Sequence, residues 1–261
     1  MPSSCPLIEF EHVSVMRGST LALDDISLKI GAGEHVALIG PNGCGKSTFI
    51  KTITRECYPL ARDGSRLTIL GRDSWNVFEL RTLLGIVSSD LMAFCTRDLS
   101  GLDLALSGFF SSIGIWPHHQ ITDEMRARAE RALEQLEITH LANRFTDEMS
   151  SGEARRALLA RALVHEPRAL ILDEPATALD LFAQHELRQT LRKLAQSGVG
   201  IVMVTHHLAD LIPEIERVIL MGRGRIVADG PKREILTAER LSRLFGLPVE
   251  LAERSGYYNL W

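Results

Sequence analysis

The sequence has no hydrophobic run long enough to cross a membrane. None of its windows approaches the roughly 18 consecutive apolar residues that a spanning helix needs. The start of the chain, from Met1 to Pro6, shows no basic stretch followed by an apolar core, so we expect no signal peptide. Any work at a membrane therefore requires a partner that supplies the membrane part.

Cysteine is scarce, and its few residues are scattered. The 261 residues include four cysteines without a C-x-x-C pair, namely Cys5, Cys44, Cys57 and Cys95. This usage is typical of a reduced, cytosolic protein rather than of a disulfide framework or a zinc site. The histidine pairs His118-His119 and His206-His207 are not at metal-ligand spacing and have no cysteine nearby, so they do not predict zinc either.

The chain also lacks an excess of positive charge. It has 29 Lys and Arg against 33 Asp and Glu, which gives a formal net charge of −4. Non-specific nucleic-acid binding requires a clustered basic surface, so we do not expect nucleic acid as a partner. The length suffices for one large α/β domain or two small ones.

A glycine-rich motif stands out from this ordinary background. It fits the pattern G-x-x-x-x-G-K-[ST] and consists of Gly40, Pro41, Asn42, Gly43, Cys44, Gly45, Lys46, Ser47 and Thr48. A strand-like run, residues 34–39, precedes it, and a helix-like run, residues 48–53, follows. A turn between strand and helix points backbone N–H groups at phosphate oxygens. We expect Lys46 to reach the β- and γ-phosphates and Ser47 to ligate Mg²⁺. A chance match is the alternative, which the strand–loop–helix context disfavours.

Two acidic residues end a later apolar strand, Leu170-Ile171-Leu172-Asp173-Glu174. Asp173 is placed to hold Mg²⁺ directly or through water, and Glu174 is placed to orient and polarise an attacking water. Alone, such a pair would be interpreted as a solvated strand end. A phosphate loop in the same domain favours the functional interpretation.

The segment Ser150-Ser151-Gly152-Glu153 directly precedes a predicted helix. Ser150 and Glu153 have the spacing of a capping box, which is a purely structural role. The Ser150 hydroxyl and the Gly152 N–H group at a helix N-terminus also predict a second anion site. Both interpretations stay open at this point.

The remaining patterns predict an α/β fold. We expect a P-loop NTPase core with a mainly parallel sheet, an antiparallel β subdomain and an inserted α-helical subdomain. The antiparallel part begins with strands at 8–15 and 21–30. The whole chain, residues 1–261, is predicted to be one domain with a core at 7–94 and 146–230, a helical insert at 95–145 and a tail at 231–261. The tail is expected to hold short helices and a docked terminal hairpin.

The order of these motifs resembles that of the ATP-binding cassette (ABC) ATPase family. The phosphate loop is followed by Ser-x-Gly-Glu, by Leu-Asp-Glu-Pro, by Ala178-Leu179-Asp180 and by Val204-Thr205-His206, and the resemblance covers roughly residues 7–230. It implies ATP and Mg²⁺ as cofactors, with Lys46 and the loop amides on the phosphates and Ser47 and Asp173 at Mg²⁺. It further implies Glu174 as general base.

The resemblance also implies a head-to-tail dimer of two copies of this chain. The Ser150–Glu153 loop of one copy would close on the γ-phosphate held by the other copy. His206 would contact the γ-phosphate, and Asp180 would couple the two sites. Taken singly, His206 could be a polar residue at a strand end and Asp180 a helix N-cap.

Three positions depart from the family pattern. Ser89 stands where the family usually has Gln, as a ligand of Mg²⁺ and water and as the joint to the membrane partner. Its hydroxyl can still bind Mg²⁺ but is shorter, which puts the coupling in question. Arg17 replaces the aromatic residue that stacks on adenine, and a guanidinium plane can also stack on a base. Ser151 replaces a glycine, but the Ser150 hydroxyl and the Gly152 amide are kept.

The sequence therefore predicts the ATP-hydrolysing subunit of an ABC transporter, bound to integral-membrane permease subunits on the cytoplasmic face of the membrane. The helical insert is where the family docks its permease. A soluble ABC ATPase acting on a protein or nucleic-acid assembly is the alternative, favoured by Ser89. A non-hydrolysing module is disfavoured by Glu174 and His206. The segments 106–114 and 205–207 are similar to molybdate-type ATPases, although the transported substrate is not encoded in this chain.

Overall fold

The computed structural model describes residues 5–88, 91 and 99–261. The strands of these residues are β1 (Ile8–Arg17), β2 (Thr20–Ile30), β3 (His35–Ile39), β4 (Arg66–Ile69), β5 (Leu84–Val87), β6 (Ala169–Asp173), β7 (Gly200–Thr205), β8 (Arg217–Gly222), β9 (Arg225–Pro231), β10 (Leu251–Arg254) and β11 (Tyr257–Leu260). The α-helices are α1 (Lys46–Ile53), α2 (Val77–Leu83), α3 (Gly101–Leu106), α4 (Asp123–Gln135), α5 (Ser151–Leu163), α6 (Leu181–Gln196), α7 (Lys232–Ile235) and α8 (Ala238–Phe245). Among the described residues, no helix combines the length and apolar character that crossing a bilayer needs.

The chain divides into two compact units. The first unit runs up to Val77 and continues with Gly200–Trp261, and the second unit is Phe78–Val199. The sequence-based division into a core and an insert at 95–145 stays a prediction.

The first unit contains the predicted antiparallel part. β1 lies between β2 and β4 and is antiparallel to both. Leu23, Ile26, Leu28 and Ile30 of β2 are buried. The predicted alternation runs from Ile26 to Ile30 and is interrupted before Ile26, where Asp25 has φ 55° and the register with β1 shifts. Phe10 of β1 stacks on Phe49 of α1, with the ring centroids 4.8 Å apart. The antiparallel sheet thereby packs on the helix that follows the phosphate loop.

The first unit also contains the parallel strands around the phosphate loop. β3 is flanked by β7 and β8 and is parallel to both. Every residue of β7 is buried, which matches its continuous β-branched and apolar sequence. β9 returns antiparallel to β8 through Arg223 and Gly224, whose φ angles of 49° and 78° are those of a type I′ turn. The hairpin that the sequence predicts on either side of Gly222-Arg223-Gly224 is thereby confirmed.

Two element boundaries differ from the sequence-based expectation. α1 begins at Lys46 rather than Thr48, because Gly45 takes φ 112° and is the last non-helical residue before it. The run 83–88 predicts a strand from Leu83, but β5 begins at Leu84 because Leu83 ends α2. Hydrophobic periodicity reports neither the backbone conformation of a glycine nor the residue at which a helix ends. The starts of α1 and β5 therefore differ from the prediction by one or two residues.

The second unit combines a strand pair with helices. β5 and β6 are parallel, with Gly85 opposite Leu170. The spacing of apolar residues over 123–136 predicts an amphipathic helix, and α4 accordingly buries Ala129, Ala132 and Leu133. It packs with α3 and α5, and α5 also packs on α6. The predicted helical part of the α/β fold is therefore confirmed for the described residues.

The tail forms α7, α8 and a hairpin of β10 and β11 in the first unit. The hairpin is docked, as predicted, since Tyr258 of β11 is buried. The ammonium of Lys232 donates to the carbonyl oxygens of Ile212 (3.3 Å), Pro213 (3.1 Å) and Gly256 (3.4 Å). These bonds join the turn of the hairpin to the segment that precedes β8.

Candidate nucleotide-binding site

The phosphate loop connects β3 to α1 in the first unit. Gly43 and Gly45 have φ angles of 78° and 112°, in the left-handed region that glycine adopts without strain. No side chain of the described residues caps the amino end of α1, where Gly45 is the N-cap residue. This end of the helix therefore presents main-chain N–H groups, which favour a bound anion.

Close packing explains two of the glycines in the loop. A Cβ atom on Gly40 would lie 2.2 Å from the Met221 carbonyl oxygen and 2.6 Å from Cys44 Sγ. A Cβ atom on Gly45 would lie 2.5 Å from the Ala22 carbonyl oxygen. Neither contact leaves room for a side chain, so the backbone of the loop is held against β2 and β8.

Hydrogen bonds tie the loop to the turn between β8 and β9. The Gly224 N–H group donates to the Cys44 carbonyl oxygen at 2.8 Å, and the Asp24 N–H group donates to the Gly224 carbonyl oxygen at 2.8 Å. Cys44 itself is buried, and this burial raises the pKa of its thiol. Cys44 is therefore a packed residue of the loop.

Lys46 lies inside the loop with only 5% of its surface exposed. Its Nζ donates to the Gly40 carbonyl oxygen at 2.8 Å and to the Pro41 carbonyl oxygen at 3.0 Å. Ser47 follows in the first turn of α1 and is exposed. One ammonium and one hydroxyl thus stand at the helix end that favours an anion.

The strand register places His206 beside the phosphate loop. Ile39 at the end of β3 is the register partner of Thr205 at the end of β7. Gly40 and His206 therefore follow neighbouring strand ends, at the edge of a parallel sheet where ligands bind. The rings of His206 and His207 lie with their centroids 3.8 Å apart.

Thr205 and Asp210 form a buried contact that the sequence analysis missed. The Thr205 hydroxyl donates to Asp210 Oδ2 at 2.6 Å. The spacing T-H-H-x-x-D is the one signal that pointed to this pair, and it is too common to predict a contact. The structure thereby adds Thr205 and Asp210 to the residues that surround the main chain at His206.

Arg17 and Ser89 are the two unusual positions. Arg17 ends β1 with its side chain exposed, and its Nη1 lies 3.5 Å from Cys57 Sγ. Ser89 lies outside the described residues, so its predicted role as a Mg²⁺ ligand stays a prediction.

The second unit positions the two acids of the Leu-Asp-Glu-Pro motif. Asp173 is the last residue of β6, and Glu174 follows it with φ 48°, a left-handed conformation that is rare for a non-glycine residue. The Thr177 N–H group donates to the Glu174 carbonyl oxygen at 3.2 Å, and its hydroxyl lies 3.4 Å from Glu174 Oε2. The main chain therefore changes direction at Glu174, directly after the end of β6.

The predicted capping box is present at the start of α5. The Glu153 N–H group donates to Ser150 Oγ at 3.3 Å, and the Ser150 N–H group donates to Glu153 Oε2 at 2.8 Å. The pKa of Glu153 is lowered overall. Burial acts to raise this pKa, but the hydrogen bonds with Ser150 and the positive charge of Arg144 have the larger combined effect. The structure thus gives Glu153 a capping role.

Gly152 and Asp180 lie at adjacent helix ends within the second unit. A Cβ atom on Gly152 would lie 2.7 Å from the Ala183 Cβ in the first turn of α6. Asp180 caps that helix, because its Oδ1 accepts from the Ala183 N–H group at 2.8 Å. The Ser150–Glu153 loop and the Asp180 cap therefore stand side by side.

A comparison with known protein families shows to which family the chain belongs. A family profile described as ABC transporter matches residues 23–177, which is more than half of the chain. The chain belongs to the ABC transporter ATPase family. The matched segment of this ABC ATPase holds the phosphate loop, the Ser150–Glu153 loop and the two acids at the end of β6.

Relatives of this ABC ATPase are ATP-binding subunits. An uncharacterized ABC transporter ATP-binding protein of Bacillus subtilis, YlmA, is 32% identical over 250 residues, which cover 94% of this chain and 93% of YlmA. The hemin import ATP-binding protein HmuV of Aliivibrio fischeri is 32% identical, and the alignment covers 94% of this chain and 93% of HmuV.

Two solved structures share the fold. One is cbiO1 from Clostridium perfringens, part of the ABC transporter complex cbiONQ, with a TM-score of 0.76, 27% identity and coverage of 91% of this chain and 93% of cbiO1. The other is the dimeric structure of MJ0796, a bacterial ABC transporter cassette, with a TM-score of 0.68, 26% identity and coverage of 86% and 98%. The predicted P-loop fold and the family assignment are confirmed.

Proposed function

We propose that this ABC ATPase hydrolyses ATP, with Mg²⁺, to energise transport through separate membrane subunits. The observation that carries the proposal is the phosphate loop. Gly40 and Gly45 are packed too closely for a side chain, Lys46 is buried within the loop, and α1 opens with main-chain N–H groups. This arrangement fits a polyphosphate.

The proposed roles follow from the chemistry of each side chain. Lys46 and the loop amides hold the β- and γ-phosphates. The Ser47 hydroxyl and the Asp173 carboxylate are the hard oxygen donors that suit Mg²⁺, which when bound neutralises charge on the phosphates. Glu174 accepts the proton of the attacking water. His206, at the strand end next to Gly40, contacts the γ-phosphate.

The complete site is proposed to need a second copy of the chain. Ser150, Gly152 and Asp180 stand together at two helix ends of the second unit, where they would meet the nucleotide held by the partner copy. The dimeric structure of the related cassette MJ0796 supports such an assembly. Glu153 contributes by holding the Ser150 loop in its capping conformation.

A membrane partner is proposed on the strength of the relatives. YlmA and HmuV are named as transporter ATP-binding proteins, and cbiO1 is part of a transporter complex. We therefore propose that this chain binds permease subunits at the inner face of the membrane. Co-purification of a multi-span protein from membranes tests this, and recovery of the chain with a soluble assembly instead would favour the alternative of a non-transport ATPase.

The catalytic assignment is tested by Glu174→Gln. We expect ATP turnover to fall at least about 100-fold, the contribution typical of a general base, while ATP binding persists. Glu130→Gln, at an exposed position of α4, is the matched control and should turn over ATP like the wild type. Wild-type turnover in Glu174→Gln, or no turnover above background in the unaltered protein, would reject the assignment.

A further inference from the structure

Thr205, the residue before His206, is hydrogen-bonded to the buried carboxylate of Asp210. Thr205 has no exposed surface and Asp210 is 4% exposed, and the Thr205 hydroxyl donates to Asp210 Oδ2 at 2.6 Å. Burying a carboxylate is costly unless hydrogen bonds compensate for lost water. Because a carboxylate can only accept, this bond also fixes the direction of the Thr205 hydroxyl proton.

The same hydroxyl holds the residue after His206. With its proton directed at Asp210, Thr205 Oγ1 accepts the His207 N–H group at 3.0 Å. The His207 ring then lies against the His206 ring, with 3.8 Å between centroids and a tilt of 42°. A chain of contacts therefore runs from Asp210 through Thr205 and His207 to His206.

The turn that carries Asp210 is held from the other side by the tail. Asp210 ends a single 3-10 turn, Leu208–Asp210, against which strand β11 packs. Lys232 Nζ binds the carbonyl oxygens of Ile212 and Pro213, just beyond that turn. Asp210 is thus fixed in place and does not adjust freely to its neighbours.

We propose that Asp210 is a positioning residue for His206, acting through the Thr205 hydroxyl. The inference rests on the proposed contact of His206 with the γ-phosphate. Asp210 touches neither nucleotide nor metal in this scheme. Its effect is on the orientation of His206 and therefore on the rate of hydrolysis rather than on ATP binding.

Two near-isosteric substitutions test the contact from both ends. Asp210→Asn replaces the carboxylate by a neutral amide, and Thr205→Val removes the hydroxyl. We expect kcat to fall about tenfold in each, since small misplacements of a reacting group cost one to two orders of magnitude. ATP affinity should stay within twofold. Thr205→Ser keeps the hydroxyl and should restore kcat, and Asp63→Asn, in an exposed loop, should behave as the wild type.

Combined variants separate positioning from a general structural role. The Thr205→Val/Asp210→Asn double variant should be no slower than either single variant, and Asp210→Asn should have no further effect in a His206→Ala background. An equal loss of kcat with His206 absent, or a matching loss of ATP affinity, would overturn the inference. If Asp210→Asn does not fold, Thr205→Val carries the same comparison.

The outcome also distinguishes this inference from the proposed function. If His206→Ala keeps wild-type kcat, the proposed role of His206 fails and the positioning role fails with it. If His206→Ala loses activity while Asp210→Asn and Thr205→Val do not, only the positioning role fails.

Discussion

Arg17 is the residue that we propose stacks on the base of ATP. It ends β1 with an exposed guanidinium near Cys57 Sγ, at the position where the family resemblance predicts an aromatic residue. A guanidinium plane can stack on adenine and adds a cation–π attraction.

We expect Arg17→Ala to weaken ATP binding about threefold to tenfold, the loss that corresponds to one stacked base contact. Arg17→Tyr should bind ATP at least as well as the wild type because it restores an aromatic surface. Titration with a fluorescent ATP analogue measures both affinities. Arg66→Ala, another exposed arginine of the same sheet, is the control. Unchanged affinity in Arg17→Ala would remove Arg17 from the site.

The start of α5 is an element with two proposed duties. Ser150 caps the helix through Glu153, and the same hydroxyl is proposed to meet the γ-phosphate of the partner copy. Replacing Ser150 by an acidic residue distinguishes the capping role from the proposed phosphate-binding role. Asp is as good an N-cap as Ser and suits the positive end of the helix, but it repels a phosphate.

We therefore expect Ser150→Asp to keep the free energy of unfolding within about 0.5 kcal/mol of the wild type and to abolish ATP turnover. Ser150→Ala should lose about 1 kcal/mol of stability because the cap is removed. Urea unfolding and phosphate release measure the two effects. Thr122→Asp makes the same change at the cap of α4 and should leave turnover intact. An active Ser150→Asp variant would leave Ser150 with the capping duty alone.

Elements with a strong local pattern were predictable from the sequence. The alternation in β2, the apolar run of β7 and the capping box of α5 each depend on residues a few positions apart. The contacts of Gly40 with Met221 and of Thr205 with Asp210 depend on main-chain geometry and on distant residues. The left-handed conformation of Glu174 likewise left no mark in the sequence, because Glu rarely adopts it.

At the scale of the whole molecule, two half-buried histidines make stability depend on pH. Burial lowers the pKa of His35 in the first unit, against the raising effect of Glu214, Glu216 and Glu34. Burial also lowers the pKa of His165 in the second unit, against a hydrogen bond with the Gly108 carbonyl. The unfolded chain therefore binds protons more readily than the folded chain at both positions.

The sign of the effect follows from these lowered pKa values. The stability contribution is complete above the unfolded histidine pKa and is lost as the pH falls through the folded values. We expect the free energy of unfolding to decrease between about pH 7.5 and pH 5.5, the range in which histidine titrates. His35→Gln and His165→Gln should each flatten this dependence, whereas His185→Gln, at an exposed position, should not. An unchanged slope in both variants would contradict the assignment.

The position of β3 between β7 and β8 has a consequence for the order in which the protein matures. A ribosome produces the phosphate loop well before the two strands that flank β3, because those strands begin only at Gly200 and Arg217. The N–H group that binds the Cys44 carbonyl belongs to Gly224. Long-range pairing of this kind forms late, because chain segments between the partners must first be closed into a loop. A nascent chain that stops before Gly200 thus carries the complete phosphate motif without the neighbours that hold it.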